Sequence, residues 1–397
     1  MNAGIIVDNE FTHDERVRRE ADILKEKYPV YVLCFDFGRA AHPLPEGMTV
    51  ERIRIPRKIK NALFFLTNLL PVYEWFWARK TAAFIRRYDP GIIHTHDLYM
   101  ARAVRSGIRK SGKKIPLILD LHEHYAAVAG SYSWTKGILR RAISRPSAWK
   151  RKEKKYLSCA DHIIVLSKVF RDKLMQEHAL ENPDRFTVLP NIPDISRFDR
   201  YPRNIETGLP AGKPIFFYFG IIAQRRGIFT TLHAFKKIIQ EGYDSFLLLI
   251  GPVDKSDRPS FFRQINDPVI AGHIIYKPWI DLSHLPSYLD SADICLAPFI
   301  KNPQHDSGVS NKIFQYMYGK KPIIASNCGP QQELLKKYEC GLVFRNIDDM
   351  TAAMKKLLQD KGLRQRMGEN GYRALVDDLN PDSIRETLWG LYERLEK

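Results

Sequence analysis

PIFFYFGIIAQRRGIFTTLHAFKKI, residues 214–238, changes its hydrophobic period partway along. Up to Gly220 the run is apolar at every position, as in a strand buried on both faces. From Ile228 the apolar residues Leu232, Phe235 and Ile238 recur at helical spacing. Strands apolar on both faces belong to parallel sheets covered by helices on both sides. Working outward, the same unit recurs. Downstream lie SFLLLIG (245–251), HIIYK (273–277), ADICLAP (292–298), PIIAS (322–326) and GLVF (341–344). Upstream lie AGIIVD (3–8), VYVLCF (30–35), GIIHTH (91–96), PLILDLH (116–122), DHIIVLS (161–167) and FTVLPN (186–191). The helical stretches between them include 14–27 and 98–110. Between the two series, residues 190–214 hold five prolines and no periodicity, which reads as a connection between domains. At 397 residues the chain is long enough for two cores. The expected fold class is α/β, with two facing Rossmann-like doubly wound domains at 1–193 and 194–378.

The formal net charge is +17 and it is uneven. Residues 1–200 hold 36 Lys and Arg against 23 Asp and Glu, and between Glu51 and Ala160 the balance is 24 to 7. Such a field favours an anionic partner. Five scattered cysteines with no C-x-x-C pair support neither a disulfide framework nor a zinc ribbon. With no basic leader before the first apolar run, a cytoplasmic location is expected. No G-x-G-x-x-G follows the first strand and no P-loop occurs, so hydride transfer and nucleoside triphosphate hydrolysis lose their main support.

Two segments can carry chemistry in the second series. The strand ending at Gly220 runs into Arg225, Arg226 and a helix start, where backbone N–H groups, the positive helix end and guanidinium forks meet. That is the outline of a diphosphate site, and a solvated Arg-Arg loop is the plainer alternative. In LAPFIKNPQHDSGVSNKIFQYMYGKKPIIAS (296–326), Gly308, Ser310 and Asn311 precede an amphipathic helix, and Lys312 adds a charge.

In the first series His94, His96 and Asp97 end one strand, and His122, Glu123 and His124 follow the next. The count of ligand atoms allows zinc or manganese, but H-x-H on a strand offers no third ligand in register, so no metal is expected. Residues 59–88 join an aromatic block to basic flanks. The uncharged stretch 61–73 is too short to span a bilayer and contains Pro71. The block fits either a helix lying in a membrane interface, with Trp75 and Trp77 at headgroup depth and Arg57, Lys58, Lys60, Arg79 and Lys80 on anionic lipid, or a packed helix whose aromatic side is core. No nucleic-acid module surrounds it, so nucleic acid is not an expected partner.

THDERVRREADIL, GIIHTHDLYMA, LDLHEHY, YFGIIAQRRGI and NKIFQYMYGKKPII together resemble the retaining GT-B glycosyltransferases, group 1 and family 4-like. The resemblance implies transfer of a sugar from a nucleotide-diphosphate sugar to a hydroxyl acceptor with retention, the acceptor being a glycan or lipid-linked glycan. It implies an acceptor domain first, a donor domain second, and a last helix, about 381–397, returning to the first domain. It further implies chemistry without a metal or cofactor and an enzyme of polysaccharide biosynthesis, soluble or peripheral on the inner membrane face. His122 is the expected catalytic residue, beside the sugar. Gly220, Arg225, Arg226, Gly308, Ser310, Asn311, Lys312 and Gln315 are the expected donor-binding residues. The family's paired donor-site glutamates are replaced by Ser307, with Asp306 adjacent, and by Gln315, whose carbonyl oxygen can still accept a ribose hydroxyl. The competing reading is a non-catalytic GT-B scaffold that binds a glycan or protein.

Overall fold

The computed structural model describes residues 1–38, 46–66, 70–128 and 146–396. The chain divides into two units, Met1–Pro190 with Asp382–Lys397, and Asn191–Pro381. Each unit is built on one parallel sheet.

The first sheet has seven strands: β1 (Ala3–Ile6), β2 (Val30–Asp36), β3 (Met48–Arg54), β4 (Ile92–His96), β5 (Leu117–Asp120), β6 (His162–Val165) and β7 (Phe186–Val188). Their order is β3-β2-β1-β4-β5-β6-β7. The chain builds outward from β1 to one edge, then returns to the other side of β1 and builds the other way. That reversal leaves a crevice past the carboxyl ends of β1 and β4, the place where open α/β sheets take ligands. One core layer packs Leu33, Trp77, Phe84, Ile93 and Val104 under one face. A second cluster, Leu119, Trp149, Tyr156, Ile163 and Phe170, continues on the same face, because Leu117 is in register with Ile93 and Leu119 with Ile163. The helix Pro381–Glu396 belongs to this unit. Its Trp389 indole donates to the Ile23 carbonyl at 3.1 Å, and Leu388, Leu391 and Tyr392 are fully buried.

The second sheet has six strands: β8 (Ile215–Phe219), β9 (Phe246–Ile250), β10 (Ile274–Lys277), β11 (Ile294–Ala297), β12 (Ile323–Ser326) and β13 (Gly341–Phe344). Their order, β10-β9-β8-β11-β12-β13, repeats the reversal, here between β8 and β11. Phe216, Tyr218, Phe235, Leu247, Leu296 and Met354 belong to its core.

The aromatic block at 59–88 needs a correction. It forms the helices Arg57–Leu66 and Val72–Tyr88, with residues 67–69 outside the described set. Trp75 is 57% exposed whereas Trp77 is 0% exposed and stacks edge-on to Phe35 at 4.8 Å between ring centres. Residues two apart on a helix lie on opposite sides, so the two tryptophans cannot share an interface. Lys60 is also withdrawn from any lipid role, because its ammonium lies 3.0 Å from the buried Asp8 carboxylate. Among the described residues, no helix is long and apolar enough to cross a membrane.

Candidate functional site

In the second unit the site is assembled at the β8/β11 reversal. β8 ends in Gly220, which sits at φ +123; a Cβ there would lie 3.4 Å from the Lys312 ammonium. The turn Gln224–Arg226 then brings the chain to Gly227, at φ +76, where a Cβ would fall 1.5 Å from the Pro298 carbonyl oxygen. Only glycine lets the β8 turn close on the β11 loop this tightly. Gly227 caps the helix Ile228–Gln240 and Ser310 caps the helix Asn311–Tyr318, and neither helix has a side-chain cap bond. Two helix starts therefore leave N–H groups for a ligand. Tyr316 ties the second helix to both strands, accepting from the Phe219 N–H at 3.0 Å and donating to the Leu296 carbonyl at 3.3 Å.

The cations at this point are held by rings, not by carboxylates. The Lys312 ammonium stands 3.7 Å from the centre of the Tyr218 ring and 5.0 Å from that of Phe299. The Arg226 guanidinium lies 5.0 Å from the Phe299 ring, and its Nε is buried without a hydrogen-bond partner among the described residues. Burial and the nearby Arg226 hold the Lys312 pKa well below its ordinary value, and burial lowers that of Arg226. Cation–ring contacts recover a few kcal/mol at most, less than the cost of removing a charge from water. The arrangement is set up to receive an anion. Arg225 is different: it is exposed and 3.5 Å from Asp254.

The other expected donor residues lie on the loop that leads into the helix Asn311–Tyr318 and on that helix. Gly308 and Ser310 are half-buried on the loop, Asn311 is exposed at the helix start, and Gln315 is buried one turn further on. Ser307 donates to the Gln304 carbonyl at 2.7 Å, while Asp306 accepts the Gly329 N–H at 2.7 Å at the start of the helix Gly329–Lys337. Asp306 is thus committed to a helix N-terminus and does not replace the missing glutamate.

In the first unit a buried polar network fills the carboxyl ends of β1, β4 and β5. Arg16 forks onto Asp120, Nε to Oδ2 at 2.8 Å and Nη2 to Oδ1 at 2.9 Å, and also lies 3.0 Å from Glu20. Asp120 Oδ2 in turn accepts from His122 Nε2 at 3.2 Å, and His96 Nδ1 lies 3.1 Å from the same nitrogen. Burial opposes charge on Asp120, yet Arg16 and His122 hold its pKa well below the carboxylate range. Burial alone would lower His122, but the charge and hydrogen bond of Asp120, with Asp97 nearby, push it up to about 9. Burial, with the charge of Asp120, raises Glu20, and burial keeps His94 neutral beside the Tyr392 hydroxyl at 3.2 Å. His122 Nδ1 has no partner among the described residues, so the imidazolium carries a free N–H donor. Asp97, at φ +69, holds a backbone conformation rare outside glycine. Burial raises its pKa.

His94 and His96 do have further ligand-type neighbours, since ligand atoms of Glu20, His94, His96 and Asp120 lie within 4.8 Å of one another. Arg16 already brings a positive charge to both carboxylates there. His124 does not join them; it lies 3.4 Å from Glu153, which also binds His178 at 2.8 Å. Sequence reasoning missed Tyr218 and Phe299 as cation platforms. It also missed the Arg16–Asp120 fork; the i, i+4 pair Arg16 and Glu20 in DERVRRE was the available signal.

Comparison with known proteins agrees with both halves. The family model "Glycosyltransferase Family 4" matches residues 17–197, and "Glycosyl transferases group 1" matches residues 203–374. The capsular polysaccharide biosynthesis glycosyltransferase CapM of Staphylococcus aureus is 24% identical over 265 residues, covering 62% of this chain and 64% of that protein. Sucrose-phosphate synthase from Thermosynechococcus elongatus superposes over 100% of this chain and 99% of its own, at TM-score 0.74 and 18% identity. Anabaena HepE, solved in complex with UDP, covers 99% of this chain and 100% of its own at TM-score 0.70 and 13% identity. With its two doubly wound units and two consecutive family matches, the chain belongs to the group 1, family 4-like glycosyltransferases of the GT-B fold.

Proposed function

We propose that this protein transfers a sugar from a nucleotide-diphosphate sugar to a hydroxyl of a glycan or lipid-linked glycan, with retention at the anomeric carbon. The observation that carries the reading is the buried Lys312 and the half-buried Arg226, neither paired with a carboxylate among the described residues, beside two uncapped helix starts. A diphosphate matches that set in charge and in acceptor atoms. The UDP complex of HepE and the polysaccharide role in the name of CapM support a nucleotide-sugar donor and a glycan acceptor.

Breaking the glycosidic bond leaves negative charge on the departing diphosphate. Arg226, Lys312, Arg225 and the N–H groups around Gly308, Ser310 and Asn311 stabilise it, and this is where transition-state binding is spent. Gly220 keeps the approach to Lys312 clear, and Gln315 accepts a ribose hydroxyl. The leaving phosphate takes the acceptor's proton as the acceptor oxygen bonds to the anomeric carbon on the face the phosphate leaves. This route needs neither a protein nucleophile nor a metal. His122 donates from Nδ1 to a sugar oxygen, with Asp120 and Arg16 fixing its orientation and charge. The scaffold reading draws its support from Ser307 and Gln315 and from the engagement of Asp306 elsewhere. Incubation with nucleotide sugars and candidate acceptors separates the two. An enzyme releases nucleoside diphosphate and yields a product whose anomeric proton coupling matches the donor's; a scaffold releases none.

Exposed Ile59, Leu66, Leu70 and Trp75, with exposed Arg57, Lys58, Arg79 and Lys80, support an anionic membrane surface as a further partner. The two tryptophans are expected to respond oppositely. Trp75→Ala weakens sedimentation with anionic vesicles and leaves stability within about 0.5 kcal/mol, whereas Trp77→Ala costs about 3–5 kcal/mol of stability. Unchanged vesicle binding by the folded Trp75 variant would remove the membrane role.

A further inference from the structure

A cavity of about 1070 Å³ opens at the amino-terminal edge of the first sheet, where Ile115, Pro116 and Asp161 lead into β5 and β6. It is therefore on the edge opposite the His122 network, and in the other unit from the proposed donor loops. Among the described residues six cations line it: Arg102, Arg105, Arg109, Lys113, Lys114 and Lys155. Asp161 is the one carboxylate among the described lining residues.

Three of these cations are already matched. Arg102 lies 3.4 Å from Glu74, Arg105 is 2.5 Å from Asp161, and Lys113 pairs with Asp89. Arg109, Lys114 and Lys155 are exposed and have no acidic partner among the described residues. The helices Ala101–Ser111 and Pro146–Leu157 both end nearby, which accounts for part of the excess, since each carboxyl end offers about half a negative charge. That still leaves an excess of about two positive charges in a concave site, where the field is focused. Arginine forks match the oxygens of phosphate in pairs. A concavity also favours a compact ligand over the plane of a membrane.

We infer that this basic cavity is a second anion site that binds a small oligophosphate, separate from the donor. The inference does not depend on the donor reading. Calorimetric titration of the full chain with sodium tripolyphosphate tests it, with Arg109→Gln/Lys155→Gln as the cavity variant and Arg226→Ala as the donor-loop variant. Both cavity positions are exposed, so the glutamines leave the core intact. Two equivalents are expected to bind the wild type. The cavity variant should weaken one of them at least tenfold, and Arg226→Ala should weaken only the other. Equal binding by the cavity variant and wild type, or loss of all binding in Arg226→Ala, overturns the second site and leaves the donor reading intact. No effect of Arg226→Ala alongside a weakened equivalent in the cavity variant keeps the second site and instead counts against the donor assignment. Vesicles of phosphatidylserine form the last arm: if the cavity variant loses vesicle binding and tripolyphosphate does not bind the wild type, the anion is a lipid headgroup and the inference fails.

Discussion

Replacing Lys312 with Met is expected to raise the melting temperature and, in the same protein, to weaken nucleoside diphosphate binding by about 2–3 kcal/mol. The two effects share one cause. Lys312 is 7% exposed, and its ammonium faces two aromatic rings and has a pKa pushed well below normal by burial and by Arg226. Methionine has a similar length and no charge to desolvate, so the fold should gain on the order of 1 kcal/mol or more. Binding loses its innermost cation. A proton signature should accompany the wild-type reaction: an anion raises the depressed Lys312 pKa, so between the free and bound values binding takes up protons. Calorimetry in buffers of different ionisation enthalpy reads that uptake. A lower melting temperature together with unchanged affinity would mean that Lys312 is structural.

His122→Ala should lower turnover by roughly 100-fold or more and change nucleotide affinity less than about threefold, because the residue is assigned to the sugar and not to the diphosphate. Its raised pKa, about 9, also fixes a pH dependence. The free Nδ1 is a donor while the ring is charged and an acceptor once it is neutral, so activity should fall as pH rises through about 9. Stability follows the same sign. The contribution of the His122–Asp120 pair is full below about 6.5, the unfolded value, and is lost as pH rises toward 9. Adding a chelator should change neither property. If chelation abolished activity and zinc restored it, the Glu20, His94, His96 and Asp120 group would be a metal site.

Sequence alone revealed the buried strands because each is a short apolar run ending at a turn. β3 is hidden for a physical reason: MTVERIR alternates with charges, as an edge strand open on one side does, and so lacks the continuous apolar run of a strand buried on both faces. In the donor loops, Arg226, Gly220 and Lys312 were legible as a strand-turn-helix pattern. Their distinctive environment was not, since Tyr218 and Phe299 read as ordinary core residues and Asp306 as a displaced ligand. Arg16 and Asp120 are 104 residues apart, and no local pattern announces a fork between them. Of the two readings of the aromatic block, helical spacing alone excludes placing both Trp75 and Trp77 in one interface, and the packed-core reading holds for Trp77.

The proposed transfer requires the loops after β8 and β11 to bind the diphosphate of a sugar nucleotide. Calorimetric titration of the protein with a panel of nucleoside diphosphates, repeated with Arg226→Ala, measures that binding. At least one diphosphate should bind the wild type with one equivalent, and the variant should bind it about 2–3 kcal/mol more weakly with its fold unchanged. Binding of none of the panel, or equal affinity in the two proteins, would contradict the account.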